Sequence, residues 1–204
     1  MKNQILHRGI KQARRLEERL DLPASITEAA KSRLREAQRE GLIQGHTVEE
    51  VATAIVYATC RERGVARGLC ETAAAGNVDC DTVGKAFRRL SRDLGLEIQP
   101  LAAAEYVPHL CDVLGQPEAV AAAAVELLDS PGGESAYTGY SPPALAAAAI
   151  YLAATERETG LTQSEAADVA HVSTVTIRNH CSELRTAATE PEAEDGRRER
   201  ADTG

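Results

Sequence analysis

Between Thr162 and Leu184 the sequence spells a short helix, a tight turn and a longer helix, and the longer helix carries side chains suited to hydrogen-bonding a partner. Ile177 and Leu184 lie seven residues apart, about two helical turns, and so share one inward face. Thr174, Val175, Arg178 and Asn179 then fall on the outward face, with Thr176 beside them. A guanidinium can take a guanine edge in bidentate fashion, a valine can touch a thymine methyl, and Thr or Asn can bond bases or phosphates. The same residues also suit an ordinary solvated helix face, and the pattern alone leaves both readings open. The corresponding helix of the first half, from Asp81 to Leu90, has Gly84 and Lys85 where the second has Arg178 and Asn179. Its Lys85, Arg88, Arg89 and Arg92 can hold phosphate, an acidic partner or solvent.

Other chemistry is not indicated. There is no Gly-rich phosphate loop, nucleophile elbow or clustered His/carboxylate motif, so an enzyme is not expected. The cysteines Cys60, Cys70, Cys80, Cys111 and Cys181 are odd in number and form no close-spaced pair. They are read as small buried core residues in a reducing compartment, with no metal site and no cofactor. His171 and His180 are read as a turn residue and a solvated helix residue.

These side chains need a scaffold, and the scaffold is duplicated. Shifting the chain by 94 residues brings Gly45 onto Gly139, Tyr57 onto Tyr151, Glu62-Arg63 onto Glu156-Arg157, Val78 onto Val172 and Leu90 onto Leu184, without a gap. A repeat unit this long is a small domain. The first unit is expected over residues 1–97 and the second over 98–188, with a disordered acidic tail from 189 to 204. Each unit reads as five helices, so the fold class is all-α. The first has helices near 3–20, 25–41, 47–64, 69–75 and 80–94. The second has them near 102–114 and 117–129, then from Ser141, from Thr162 and from Ser173, with a loop at Pro131-Gly132-Gly133. Ser25-x-x-Glu28, Thr47-x-x-Glu50 and Thr162-x-x-Glu165 resemble capping boxes. Ser141 caps a helix with Pro142 in its first position. The run from Ala144 to Ile150 is apolar all round, as befits a buried central helix.

With 204 residues, 43% hydrophobic and only 3% aromatic, the chain folds around Ala, Leu, Val and Ile. No apolar run approaches the roughly 18 to 20 residues that span a bilayer, and the polar start lacks a signal-peptide core, so a cytoplasmic place is expected. The net charge of −8 is uneven: +4 over residues 1–41, −1 over 42–97 and −11 over 98–204. Four Lys against nineteen Arg, with abundant Ala and acid, resembles proteins that work in concentrated salt. There counterion release adds little, so an acidic chain can still be a DNA-binding protein.

Taken in register along residues 5–188, four segments make the chain resemble the core of archaeal transcription factor B, the relative of eukaryotic transcription factor IIB. They are Gly41-Leu-Ile-Gln-Gly-His46, Tyr57-Ala-Thr-Cys-Arg-Glu-Arg-Gly-Val-Ala-Arg67, Ser141-Pro-Pro-Ala-Leu-Ala-Ala-Ala-Ala-Ile-Tyr151 and Val175-Thr-Ile-Arg-Asn179. The resemblance implies two tandem cyclin-like five-helix repeats, each ending in a helix-turn-helix, acting as a monomer. It implies TATA-binding protein and promoter DNA upstream of the TATA box as partners, with Val175 and Arg178 at base-reading positions. In the family, the loop before each third helix carries a basic residue after Gly. Here Gly45-His46 and Gly139-Tyr140 occupy those places, and a largely neutral His46 is expected to contact DNA more weakly. The family's zinc ribbon is not seen, since no cysteine precedes Cys60. Recruitment of RNA polymerase by that route is therefore not expected, and a regulator or competitor of full-length paralogues is. The rival expectation is a cyclin-like adaptor that binds only protein.

Overall fold

The computed structural model describes residues 2–130 and 141–189, and these residues form ten helices and no strand. The expected Pro131-Gly132-Gly133 loop, Gly139, Tyr140 and the acidic tail from 190 onward lie outside them. The first repeat comprises α1 (Lys2–Arg19), α2 (Ala24–Arg39), α3 (Val48–Glu62), α4 (Leu69–Gly76) and α5 (Cys80–Asp93). The second comprises α6 (Ala103–Val113), α7 (Glu118–Asp129), α8 (Pro142–Glu156), α9 (Gln163–Ala170) and α10 (Thr174–Thr189).

The 94-residue register extends further than the sequence matches did. Helices α3 and α8, and likewise α4 and α9, begin and end at matching positions. Left-handed backbone recurs in the same frame: Asp21 with Gly115, Gly64 with Glu158, and Asn77 with His171. A turn therefore keeps its geometry even where its residue type has changed, because the packing on either side dictates it.

Each repeat is built around its third helix. In α3 every residue from Val51 to Cys60 is buried, and in α8 every residue from Ala144 to Ile150. A helix without a polar side has to be enclosed by others. Around α3 lie Leu16 of α1, Ile26 and Leu34 of α2 and Leu90 of α5. Around α8 lie Tyr106 and Leu110 of α6, Leu128 of α7, and Ile177 and Leu184 of α10. Burying one such Leu or Ile side chain contributes about 1.5–3 kcal/mol. The alanines of α8 add little each, but they let its neighbours approach closely.

Caps mark where helices start and stop. Thr47 and Thr162 form the expected boxes: each hydroxyl accepts from the Glu three residues on, at 3.2 Å, and each Glu accepts from the Thr backbone N–H at 2.8 Å. Gly41 stops α2, as expected, in the left-handed region, where the Leu42 N–H donates to Ala37 O at 2.9 Å. Ser173 caps α10 by accepting from the Thr176 N–H at 3.1 Å. Two caps differ from expectation. Pro23 takes the cap position of α2, so Ser25 is already inside the helix and makes no box with Glu28, which instead pairs with Lys31. Ser141 stands at the cap of α8 with Pro142 following, yet its side chain accepts no backbone N–H.

The short helix α4 is pressed onto α3 by a buried polar pin. Gln12 Nε2 donates to Gly76 O at 2.7 Å and to Thr53 Oγ1 at 3.2 Å. A Cβ on Gly76 would sit 2.7 Å from Thr53 Oγ1. In the second repeat the matching positions hold Tyr106, Ala147 and Ala170. The smaller Ala147 leaves room for the extra methyl of Ala170, and all three positions belong to the apolar cluster of the second repeat.

The two repeats meet along a seam at the first turn of α4. Glu71 Oε1 lies 2.7 Å from His109 Nε2 of α6. Arg61 donates to Gln99 O at 2.9 Å, and Ala66 is buried in the core of the second repeat. No helix of the described residues is long and apolar enough to cross a membrane.

Three outcomes follow. Thr47→Ala and Thr162→Ala should each lower unfolding free energy in urea by about 1 kcal/mol, whereas Ser25→Ala, lacking a cap bond, should change it by under about 0.5 kcal/mol. Gly76→Ala should destabilise by about 1–3 kcal/mol, and adding Thr53→Ala should recover part of the loss, as Ala147 and Ala170 already do. Glu165 is held below its ordinary carboxylate value by the Thr162 hydroxyl and then by backbone. A lowered folded value means its stabilisation is present above the ordinary pKa and lost as pH falls through the lowered one. The gap in melting temperature between the wild type and Glu165→Ala should therefore be full near neutral pH and close below about pH 4.

Candidate nucleic-acid interface

Helix α10 has one face in the core and one in solvent. Ile177, Cys181 and Leu184 are buried against α8, and Cys181 Sγ lies 3.8 Å from Ala148 O. The opposite face presents Thr174, Val175, Arg178 and Asn179, all exposed. Thr176 is half-buried and its hydroxyl lies 2.9 Å from Ser173 Oγ, so it serves the helix start. Val175 is 56% exposed, a degree of exposure that among large apolar side chains only Val113 also reaches in the described residues. Val175 and Arg178 are one turn apart, so methyls and a guanidinium stand side by side in water.

His180 corrects the sequence reading. It is buried at 4% exposure, and its Nδ1 lies 3.2 Å from Glu183 Oε2. Position 180 follows Ile177 by three residues, which keeps it on the inner stripe. His171 is the left-handed cap of α9, a turn residue as expected.

The first repeat presents a different surface from the same fold. Gly84, the counterpart of Arg178, is buried, and a Cβ there would lie 3.3 Å from Leu69 Cδ2. Asp81, exposed, stands where Val175 stands. Lys85, Arg88 and Arg92 are exposed, while Arg89 is half-buried and occupied. Its Nη1 donates to Gln44 O at 2.7 Å, and its Nε lies 3.5 Å from Asp93 Oδ2. Arg92 also pairs with Asp93 at 2.9 Å. Arg89 thus fastens the loop ahead of α3 to α5, a link across 45 residues that no local pattern announces. That loop carries Gly45, exposed at φ 88°, and His46. The imidazole of His46 does not project: its side chain is 15% exposed and Nδ1 lies 3.5 Å from Glu50 Oε2.

Cysteine placement departs from the expectation of five buried thiols. Cys60, Cys111 and Cys181 are free and buried, and burial raises their thiols to about 12, about 11 and about 11. Cys70 and Cys80 are half-buried and joined in a disulfide with Cα atoms 4.9 Å apart. The signal was present: Cys70 lies in the first turn of one helix and Cys80 begins the next, across a tight turn. Among the described residues no group of three His, Cys, Asp or Glu side chains is arranged to hold a metal ion.

The family described as "Transcription factor TFIIB repeat" matches residues 2–93 and again 97–187. Relatives include transcription initiation factor IIB 7 of Halobacterium salinarum, 40% identical over 169 residues that cover 83% of this chain and 52% of that protein. Transcription initiation factor IIB of Archaeoglobus fulgidus is 38% identical over 170 residues, covering 83% and 52%. The chain thus spans about half the length of the curated relatives it matches. Among solved structures, a viral cyclin from herpesvirus saimiri aligns with 93% of this chain and 86% of that one, at 13% identity and a TM-score of 0.41. The two tandem matches fall on the two five-helix repeats, and on that evidence the chain belongs to the transcription factor TFIIB repeat family.

Proposed function

We propose that this chain docks on promoter DNA held by TATA-binding protein and reads bases upstream of the TATA box through α10. The observation that carries the reading is the pair Val175 and Arg178, exposed together on a helix whose other face is fixed in the core. A helix held this way enters a major groove without reorganising, so little ordering entropy opposes binding. Arg178 supplies the bidentate donor and Val175 the apolar contact, with Thr174 and Asn179 at the margins. The first repeat supplies protein and backbone contact through Lys85, Arg88 and Arg92, since Gly84 and Asp81 leave α5 without counterparts of Arg178 and Val175. Gly45 and His46 contribute shape more than charge, and Gly139 and Tyr140 are assigned the matching loop of the second repeat from the family pattern.

A second reading, a protein-only adaptor, is favoured by one observation: residues 98–189 carry three Arg, no Lys and eleven Asp or Glu. The two readings differ in salt dependence. Each phosphate neutralised contributes roughly −0.9 to the slope of log affinity against log salt. With Lys85, Arg88 and Arg92 as the proposed phosphate contacts, DNA docking should give a slope of about −3. The adaptor reading gives no DNA-dependent complex at any salt.

Arg178→Ala is the sharper measurement. Fluorescence anisotropy with labelled promoter DNA and TATA-binding protein should show a loss of about 1–3 kcal/mol and relaxed preference at a single base pair. Unchanged affinity together with unchanged preference would sink base reading by α10.

A further inference from the structure

The disulfide between Cys70 and Cys80 has no part in the function proposed above, and its place in the fold gives it one. The second repeat has Ser164 and Thr174 at these positions. It nonetheless starts α9 and α10 in the same register and closes the turn with the same left-handed residue, His171 for Asn77. The bond is therefore not what makes a helix-turn-helix here. It is an added restraint that only the first repeat has.

What it restrains is specific. Cys70 belongs to the first turn of α4, next to Glu71, whose carboxylate accepts from the Gly68 N–H at 2.8 Å and meets His109 of the second repeat at 2.7 Å. A Cβ on Gly68 would lie 3.7 Å from Pro143 of α8. Cys80 is the first residue of α5, which carries Lys85, Arg88 and Arg92. The bond is thus a strut from the seam between repeats to the basic helix. Its two sulfurs belong to half-buried residues, while the three other cysteines are buried and their thiols are disfavoured from ionising. Thiol chemistry is directed to this one place.

We propose that Cys70–Cys80 is a thiol–disulfide exchange site whose opening by a small thiol loosens α4 and α5, and with them the seam between the repeats. The thiolate of one small thiol attacks either Sγ, breaking the Sγ–Sγ bond and forming a mixed disulfide. The released cysteine thiolate takes up that thiol's proton. A second small thiol attacks the mixed disulfide, freeing the other cysteine and leaving a small-molecule disulfide. Two thiols are oxidised, two cysteines are reduced, and the two protons end on the cysteines.

The test uses the whole chain and needs no nucleic acid. Denatured in N-ethylmaleimide without reductant, the protein should gain three maleimides by intact mass. After dithiothreitol it should gain five. Native-state hydrogen exchange should quicken in α4, in α5 and around His109 on reduction, on the order of tenfold or more. Exchange in α7 and α10, which pack only on second-repeat helices, should hold constant as the internal control. Cys70→Ser with Cys80→Ser should copy the reduced pattern and ignore dithiothreitol, and oxidised glutathione should restore the slow pattern in the wild type. Five maleimides without reductant, or equal exchange of α4 and α5 in both redox states, overturns the proposal.

Discussion

A helix with no polar side cannot end at a surface, and that constraint organises both halves of this protein. Because α3 and α8 carry no charged side chain over their buried middles, they have to be enclosed, and four partner helices arrange themselves to do it. Enclosure in turn fixes which side of each partner faces out. The outward face of α10 is what remains after Ile177, Cys181 and Leu184 have been committed to α8. The exposure of Val175 and Arg178 is thus decided in the core, several ångströms away from either residue. Rigidity at the surface comes from the same source, since α10 cannot rotate without exposing leucine and isoleucine.

Within that shared frame the two repeats have diverged in chemistry while holding their geometry. The first is pinned by polar contacts: Gln12 to Gly76 and Thr53, and Arg89 to Gln44. The second replaces the buried pin with Tyr106, Ala147 and Ala170 and relies on close apolar packing. A buried hydrogen bond that is fully satisfied fixes position more sharply than it adds stability. The first repeat is accordingly held by directional bonds and the second by fit.

Much of this was legible in the sequence because the signals were local. Thr47 with Glu50 and Thr162 with Glu165 are three residues apart, within reach of one helical turn. The repeat register was visible because tandem copies share spacing, and the all-apolar run of α8 declares its own burial. The failures are equally physical. Ser25 has the right type and the right glutamate downstream, but Pro23 had already set the helix start two residues earlier. His180 reads as a solvated residue when Ile177 and Leu184 alone mark the inner face, whereas α10 also buries His180 and Cys181 between them. Arg89 with Gln44, Glu71 with His109 and Cys70 with Cys80 join residues that only the folded chain brings together. The last also shows that residue type misleads: a small apolar thiol and a half-bridge are the same letter.

Gly84 has a meaning larger than its size. Two copies of one fold in tandem begin with an approximate equivalence, and a body whose halves can be interchanged has no front or back. Where the second half extends an arginine, the first has a bare backbone lying close under Leu69. On the helix face in question, that absence breaks the equivalence. It gives the molecule a polarity, so that turning it end for end no longer yields the same object, and whatever it sits upon acquires a left and a right.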